Sequence, residues 1–127
     1  LSLTEFSIRT NKKIDVIDIT NEVGNRIDRN AKAVLVFAPH ATAALTLGEY
    51  EPNIKEDMEK FCEKLASGNW QHNKIDDNAE AHLMSVLIKQ SLLVPVENGK
   101  LILGTWQRIL FIELDGPRTR RIIVQTL

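Results

Sequence analysis

Apolar and polar positions alternate along this chain at two distinct periods. Phe6 and Ile8, then Ile14-Asp15-Val16-Ile17-Asp18-Ile19, suit short strands, and the polar Thr10-Asn11-Lys12-Lys13 between them predicts a hairpin. Thr20 is placed to cap a short helix with Val23 and Ile27 on one face, weakened by Gly24. The run Ala33-Val34-Leu35-Val36-Phe37-Ala38 is apolar throughout, as in a strand covered on both faces, and Ala43-Ala44-Leu45-Thr46-Leu47-Gly48 predicts another strand. Ile54, Met58, Phe61, Cys62 and Leu65 recur at helical spacing before a stop at Gly68. Ala79, Leu83, Val86 and Leu87 do the same for a second amphipathic helix, whose start Asp76, Asp77 or Asn78 can cap. Segments 92–96 and 101–103 flank Asn98-Gly99, a pair that accepts the positive φ angles of a tight type I′ turn, and Pro95 places the first arm at an edge or bulge. Segments 108–114 and 121–124 flank Asp115-Gly116-Pro117, which predicts a closing hairpin.

Strands, helix, strands, two helices and strands is the order of an α+β domain with a largely antiparallel sheet system. Several strands are apolar on both faces, so they need helices on one side and strands on the other, or a partner subunit over the second face. The pattern favours the partner. No repeat or linker interrupts 1–127, which reads as one domain. A domain of this length buries about two-thirds of its unfolded surface and folds without staples.

Composition narrows the setting. Hydrophobic content of 43% and charged content of 26% are those of an ordinary soluble globular protein. A net charge of −1 argues against the broad basic footprint of nonspecific nucleic-acid binding, and the positive charge is local, in Arg118-Thr119-Arg120-Arg121. The single Cys62 forms no intrachain disulfide, and no apolar run reaches the roughly 18 residues of a membrane span. The expected setting is the cytoplasm, with neither nucleic acid nor membrane as partner.

The chemistry concentrates in Asn69 to His82, which holds two of the three histidines, one of the two tryptophans and the Asp76-Asp77 pair, with few apolar residues that a core would require. The third histidine, His40, follows an apolar run where a strand should end. Three imidazoles from a strand end, a loop and a helix can form the facial set of a catalytic zinc, with a fourth position open to water or substrate. Their spacing matches no compact motif, and His82, beside the apolar arc of Ala79, Leu83 and Val86, equally suits a core histidine. Asp76 and Asp77 either cap a helix or hold a histidine tautomer or a divalent ion. Glu49 and Asp57 are further carboxylates near element ends, and Thr42 sits among Ala41, Ala43 and Ala44, where a backbone or ligand can approach closely. Gly104-Thr105-Trp106-Gln107 offers an indole face beside an amide, either a platform for a planar ring or a packed loop. Arg118 and Arg120, next to Gly116-Pro117, present guanidinium forks that match phosphate oxygens, with a solvated hairpin tip as the rival reading.

Taken together, these pieces resemble the YjbQ-like family, also called secondary thiamine-phosphate synthase enzymes. The resemblance rests on His40-Ala41-Thr42-Ala43-Ala44-Leu45, Glu49, His72, Asp76-Asp77-Asn78-Ala79-Glu80-Ala81-His82 and Asn98-Gly99-Lys100-Leu101. It continues through Leu103-Gly104-Thr105-Trp106-Gln107 and Glu113-Leu114-Asp115-Gly116-Pro117-Arg118, so it spans nearly the whole chain in order. It implies a sandwich-like α+β fold of mainly antiparallel strands with two to three helices, assembled as a homotrimer with strands around the threefold axis. It also implies a polar pocket in which His40, His72 and His82 are metal ligands, with Asp77, Asn78, Trp106 and Gln107 close by. The implied activity is a weak thiamine-phosphate synthase reaction, in which a hydroxymethylpyrimidine diphosphate is joined to a thiazole phosphate with release of diphosphate. On that reading Asp76, Asp77 and Glu49 are catalytic candidates, while Thr42, Asn78, Trp106, Gln107 and Arg118 bind substrate. The expected cofactor is a divalent ion, zinc in the first place and magnesium with a diphosphate substrate. Metal-dependent hydrolysis of a small phosphorylated metabolite and non-catalytic metal or ligand binding are the alternatives. Two positions depart from the family pattern: Gly48 stands where an asparagine often precedes Glu49, and Ile88-Lys89-Gln90 where a glycine commonly follows the helix.

Overall fold

Strands that are apolar along their whole length and strands that alternate take different places in this fold. The computed structural model describes residues 2–127, so Leu1 of the expected 1–127 domain lies outside the described residues. In chain order the elements are β1 (Leu3–Arg9), β2 (Asp15–Asp18), α1 (Thr20–Gly24), β3 (Ala33–Phe37), β4 (Ala43–Gly48) and α2 (Pro52–Leu65). A 3₁₀ turn (Gln71–Lys74), α3 (Ala79–Ile88), β5 (Ser91–Glu97), β6 (Lys100–Leu101), β7 (Arg108–Glu113) and β8 (Thr119–Thr126) follow. They build a five-stranded sheet in the order β1-β8-β3-β5-β6 and a three-stranded sheet in the order β2-β7-β4, with every pairing antiparallel. The α+β class expected from the element order is present, with three helices.

The small sheet is the middle layer. One face, with Leu45, Ile109 and Phe111, packs on Phe6, Val34, Val94, Ile122 and Val124 of the large sheet. The other, with Val16, Ala44, Leu110 and Ile112, packs on Cys62 of α2 and on Ala81 and Met84 of α3. That is why β7 is buried at nearly every position: side chains on either face leave water, each fully buried Leu, Ile or Phe contributing about 1.5–3 kcal/mol. Strands on one side and helices on the other thus cover the small sheet within one chain, and the partner favoured from the pattern is not needed there. The large sheet is covered on one face only, so β1 and β8 alternate. β3, expected to be covered on both faces, is of this half-open kind. Its Leu35 and Phe37 lie on the outer face beside Leu93 of β5 and Ile123 of β8.

Neither of the hairpins expected at the two ends of the chain forms. β1 pairs with β8 in the large sheet and β2 with β7 in the small one, so Thr10 to Lys13 crosses between layers and Asp115 to Arg118 crosses back. A strand buried on both faces and a strand buried on one belong to different layers, however short the turn between them. The Asn98-Gly99 hairpin does form, with φ of 53° and 76°. β6 pairs only with Val96 and Glu97, and the Pro95 carbonyl accepts the Ile102 N–H at 2.9 Å, so Pro95 sits where this edge ladder ends.

Both long helices bury only part of the expected arc: Cys62 and Ala79 are buried as expected and Met58 packs against the core. α2 buries Glu59 and Cys62 and exposes Phe61 and Leu65, while α3 buries Ala81, Met84 and Ser85 and exposes Leu83, Val86 and Leu87. Small size and hydrogen bonding select these faces. Ser85 Oγ donates to the Ala43 carbonyl of β4, and Glu59 accepts from Lys12, Lys55 and the Val16 N–H. The caps also differ from expectation. Asp18, not Thr20, accepts at the start of α1, and Asn73 Oδ1, not Asp76, Asp77 or Asn78, accepts the Ala79 N–H at the start of α3. Among the described residues no helix is long and apolar enough to cross a membrane.

Candidate functional site

Four loops meet at one end of the small sheet. The β3–β4 loop brings His40 and Thr42, the β7–β8 crossing brings Asp115, Gly116 and Arg118, the approach to α3 brings Asp76, Asp77 and Asn78, and the β1–β2 crossing brings Lys13. With His82 from the first turns of α3 they line an open cavity of about 680 Å³. Its polar lining reflects its position at strand ends, where backbone and side chains leave the sandwich core.

The floor is a buried ion pair. Glu113 is fully buried and Arg120 is 4% exposed. The guanidinium Nε donates to Glu113 Oε1 at 2.9 Å, and its second arm donates to the Thr42 carbonyl at 3.0 Å and to Thr42 Oγ1 at 2.8 Å. Glu113 also accepts from Thr10 Oγ1 at 2.8 Å and from the Leu114 and Asp115 N–H groups. Burial alone would raise the Glu113 carboxyl, but the Arg120, Thr10 and Asp115 hydrogen bonds outweigh it and hold the group below the ordinary carboxylate range. Removing one member of such a pair costs about 3–5 kcal/mol, because the other is left buried and uncompensated. Arg120 is thus committed to the floor, and Arg118 is the guanidinium at the rim. Arg118 donates to the Asp115 carbonyl and carboxylate at 2.9 and 3.2 Å.

One wall is a relay that settles a histidine tautomer. The Asp115 carboxylate accepts from Asn78 Nδ2 at 2.9 Å, which turns Asn78 Oδ1 toward His72 Nε2 at 2.8 Å. An amide oxygen only accepts, so His72 carries a proton on Nε2, which in the neutral ring leaves the lone pair on Nδ1. His72 and His82 meet edge to face, with ring centroids 4.8 Å apart. Across the cavity, His40 Nε2 lies 2.9 Å from the Arg121 carbonyl and 3.1 Å from the Arg121 N–H. Burial lowers its pKa, and the Arg120 and Arg121 charges add to this against the raising effect of the Arg121 carbonyl and Glu113. The net value lies below the ordinary histidine range, so the ring is neutral at neutral pH.

The chemistry of this donor set fits a divalent ion: imidazoles with a ring nitrogen held by a carbonyl-type oxygen are what metal ligation uses. The rotamers do not yet converge. His82 borders the cavity with His40 and a separate groove with His72, and among the described residues no three His, Cys, Asp or Glu side chains form a ready metal cluster. Asp76 Oδ1 accepts the Asp77 N–H, while the Asp77 carboxylate has no partner among the described residues and faces the cavity.

A family model described as UPF0047 protein YjbQ-like matches residues 4–127. The chain belongs to the YjbQ-like UPF0047 family. A UPF0047 protein of Archaeoglobus fulgidus is 48% identical over 97% of this chain and 99% of its own length, and UPF0047 protein YugU of Bacillus subtilis is 38% identical over 98% of each. Among solved structures, a hypothetical protein from Aeropyrum pernix superposes with a TM-score of 0.93 at 38% identity, covering 100% of this chain and 98% of that one. An uncharacterised conserved yjbq/upf0047 protein from Clostridium acetobutylicum gives a TM-score of 0.90 at 36% identity, covering 98% and 99%.

In this YjbQ-like chain the expected site residues fall into two groups. His40, Thr42, Asp76, Asp77, Asn78, His82 and Arg118 line the cavity, with His72 behind Asn78. Glu49, Trp106 and Gln107 lie at the other end of the small sheet, where Gly48 pairs with Arg108, about 17 Å away at roughly 3.3 Å per strand residue. One chain does not bring them to the histidines. Trp106 is 72% exposed, and Gln107 Oε1 is occupied by the Gly104 N–H at 2.8 Å, which makes Gln107 a clamp on its own loop. Lys13 and Asp115 also belong to the cavity, and the sequence pattern does not mark them as site residues. Lys13 sits in a polar run that looks like a turn, and Asp115 lies in a turn motif that looks like a hairpin tip.

Proposed function

We propose that the cavity binds a phosphorylated small molecule together with a divalent ion and carries slow thiamine-phosphate synthase-type transfer. The supporting observation is one open polar cavity that holds neutral His40, His82, the unpartnered Asp77 carboxylate and the cations Lys13 and Arg118. In that reaction the thiazole nitrogen lone pair forms the new C–N bond as the C–O bond to diphosphate breaks, and the electron pair leaves with diphosphate. The bound ion would neutralise leaving-group charge. Arg118 and Lys13 hold phosphate oxygens, and the Asp115–Asn78 relay keeps His72 in the tautomer with a free Nδ1. His40, His72 and His82 are the proposed ligands, zinc the proposed ion. Metal analysis of the purified protein against His40→Ala and His72→Ala tests this part, and equal metal content in all three refutes it.

A second reading is hydrolysis of a phosphorylated metabolite, favoured by an open cavity in which Asp77 is available as a base toward water. Turnover assays on protein free of the host's own synthase separate the two by product. Absence of turnover with either substrate class leaves a binding protein.

The assembly we propose is a homotrimer. Two separate apolar surfaces support it: Phe37 and Leu93 on the open face of the large sheet, and Leu83, Val86 and Leu87 on the outside of α3. Two unlike patches suit a head-to-tail contact that closes into a ring, whereas a twofold dimer uses one patch against itself. Sedimentation equilibrium should return about three chain masses; a monomer refutes it.

A further inference from the structure

The Asp115 carboxylate holds two partners on one oxygen. Its Oδ2 accepts from Asn78 Nδ2 at 2.9 Å and from Arg118 Nη2 at 3.2 Å, so one atom joins the rim of the cavity to the relay in its wall. The two sides differ in exposure. The Arg118 side chain is half exposed, the Asp115 side chain is 19% exposed and Asn78 is buried, so Arg118 can take a partner from solvent while Asn78 has only what the fold gives it. The backbone beneath is pinned, since the Asp115 N–H donates to Glu113 Oε2 at 3.1 Å and the Gly116 N–H to the Lys13 carbonyl at 3.0 Å. The Arg118 head can exchange partners while the Asp115 backbone stays in place.

Sharing weakens both bonds. A guanidinium on Oδ2 draws off charge that would otherwise polarise the Asn78 amide, and the amide passes its polarisation through Oδ1 to His72 Nε2 at 2.8 Å. An oxyanion in the cavity competes with Asp115 for the Arg118 fork, whereas Arg120 is committed to Glu113 and Thr42. We infer that Asp115 is a positioning residue that couples anion binding at the rim to the ligand strength of His72. An oxyanion on Arg118 leaves Oδ2 to Asn78 alone, which strengthens the bond to His72 Nε2 and makes Nδ1 the better ligand. The effect on a metal rests on the reading of His72 as a ligand, while the hydrogen-bond chain operates with or without an ion. Binding free energies are reciprocal, so a metal on Nδ1 tightens the oxyanion by the same factor, about fivefold.

Sulfate and zinc are the probes, added to the metal-free full chain at about pH 8, above the ordinary histidine value of about 6.5. The chain has three histidines, so isotope-labelled histidine gives three rings by NMR, and His72 is assigned by its loss in His72→Gln. Without metal, sulfate should move the His72 Nε2 proton downfield, toward a stronger hydrogen bond, and Asp115→Asn should abolish that shift. With metal, sulfate should tighten zinc about fivefold and zinc should tighten sulfate equally, and both gains should vanish in Asp115→Asn. Arg118→Met should reproduce the sulfate-bound His72 signal with no sulfate present. Combining it with Asp115→Asn should remove that change, which separates the relay from a general loss of positive charge. A His72 signal that Arg118→Met leaves in place overturns the coupling, whether or not sulfate binds. So does a gain in zinc affinity that persists in Asp115→Asn, because sulfate would then act on the metal directly. A coupled His72 signal with zinc affinity unchanged by His72→Gln supports the relay and overturns the ligand reading instead.

Discussion

Lys89 closes α3 with φ of 85° and ψ of 167°, a region that is sterically open essentially to glycine alone. The conformation is enforced from both sides: the Lys89 N–H donates to the Ser85 carbonyl at 2.9 Å, and the Lys89 carbonyl accepts the Leu45 N–H at 3.0 Å, stitching the end of the helix to β4. The side chain is exposed and makes no ion pair among the described residues, so its loss costs little. Lys89→Gly should therefore relieve about 1–3 kcal/mol of strain and give back about 0.4–1 kcal/mol through a freer unfolded chain. The net is a stabilisation of about 1 kcal/mol, or a rise in Tm of about 3–5 °C for a domain of this size. Urea unfolding at fixed protein concentration should show a higher midpoint with an unchanged slope. Lys89→Ala is the control, because alanine keeps the Cβ that causes the strain. Equal midpoints for the glycine and alanine variants would refute the reasoning, as would any loss of stability in the glycine variant.

Asp77→Asn should lower turnover about tenfold or more with Tm nearly unchanged, since Asp77 caps nothing; steady-state rates beside a melting curve decide this, and an unaltered rate removes Asp77 from the chemistry. Gly116→Ala should destabilise by about 1–3 kcal/mol, because the added methyl would meet the Lys12 carbonyl at 2.5 Å and Thr10 Oγ1 and Glu113 Cγ at 2.8 Å, which denaturant midpoints will measure. Glu59 is pushed up by burial and more strongly down by Lys12, Lys55 and the Val16 N–H, so it lies, like Glu113, below the ordinary carboxylate range. A depressed carboxyl stabilises above its unfolded pKa of about 4.3, and that contribution is lost as pH falls through the folded value. Glu59→Gln should accordingly cost more at pH 7 than at pH 3, and a penalty independent of pH would show that the charge is not what matters.

The layers of this fold were partly legible before any coordinates. The uniform burial of β7 is written in Arg108 to Glu113 and the single covered face of β8 in the alternation of Thr119 to Thr126, and that contrast marks different sheets. Proximity in sequence suggested a hairpin instead, because a short turn between two apolar runs says nothing of which sheet each enters. The inner faces of α2 and α3 were hidden for another reason. Hydrophobicity pointed to Phe61, Leu83 and Val86, whereas close packing wanted Ala81 and Ser85, and a cradle of two cations and one amide made Glu59 buriable. At the site, His40 and His72 stand out as polar residues without a structural excuse, whereas His82 equally suits a core position and Asp77 a helix cap. The Asp115–Asn78–His72 relay was not visible, since it joins residues through a crossing that periodicity does not reveal. The family resemblance groups Trp106, Gln107 and Glu49 with them, but the length of a strand keeps them apart within one chain.

β8 lies between β1 and β3 in the large sheet, although it follows every other element in the chain. During synthesis β1 and β3 therefore emerge with no neighbour between them, and the sheet that walls the core stays open until Thr119–Thr126 has left the ribosome. Docking of this domain is a late event by construction, dominated by contacts far apart in sequence, which places its folding among slower domains, on the order of milliseconds to seconds. Until then the edges of β1 and β3 are exposed to any extended strand nearby, so ribosome stalling before β8 is where this chain is most open to mispairing.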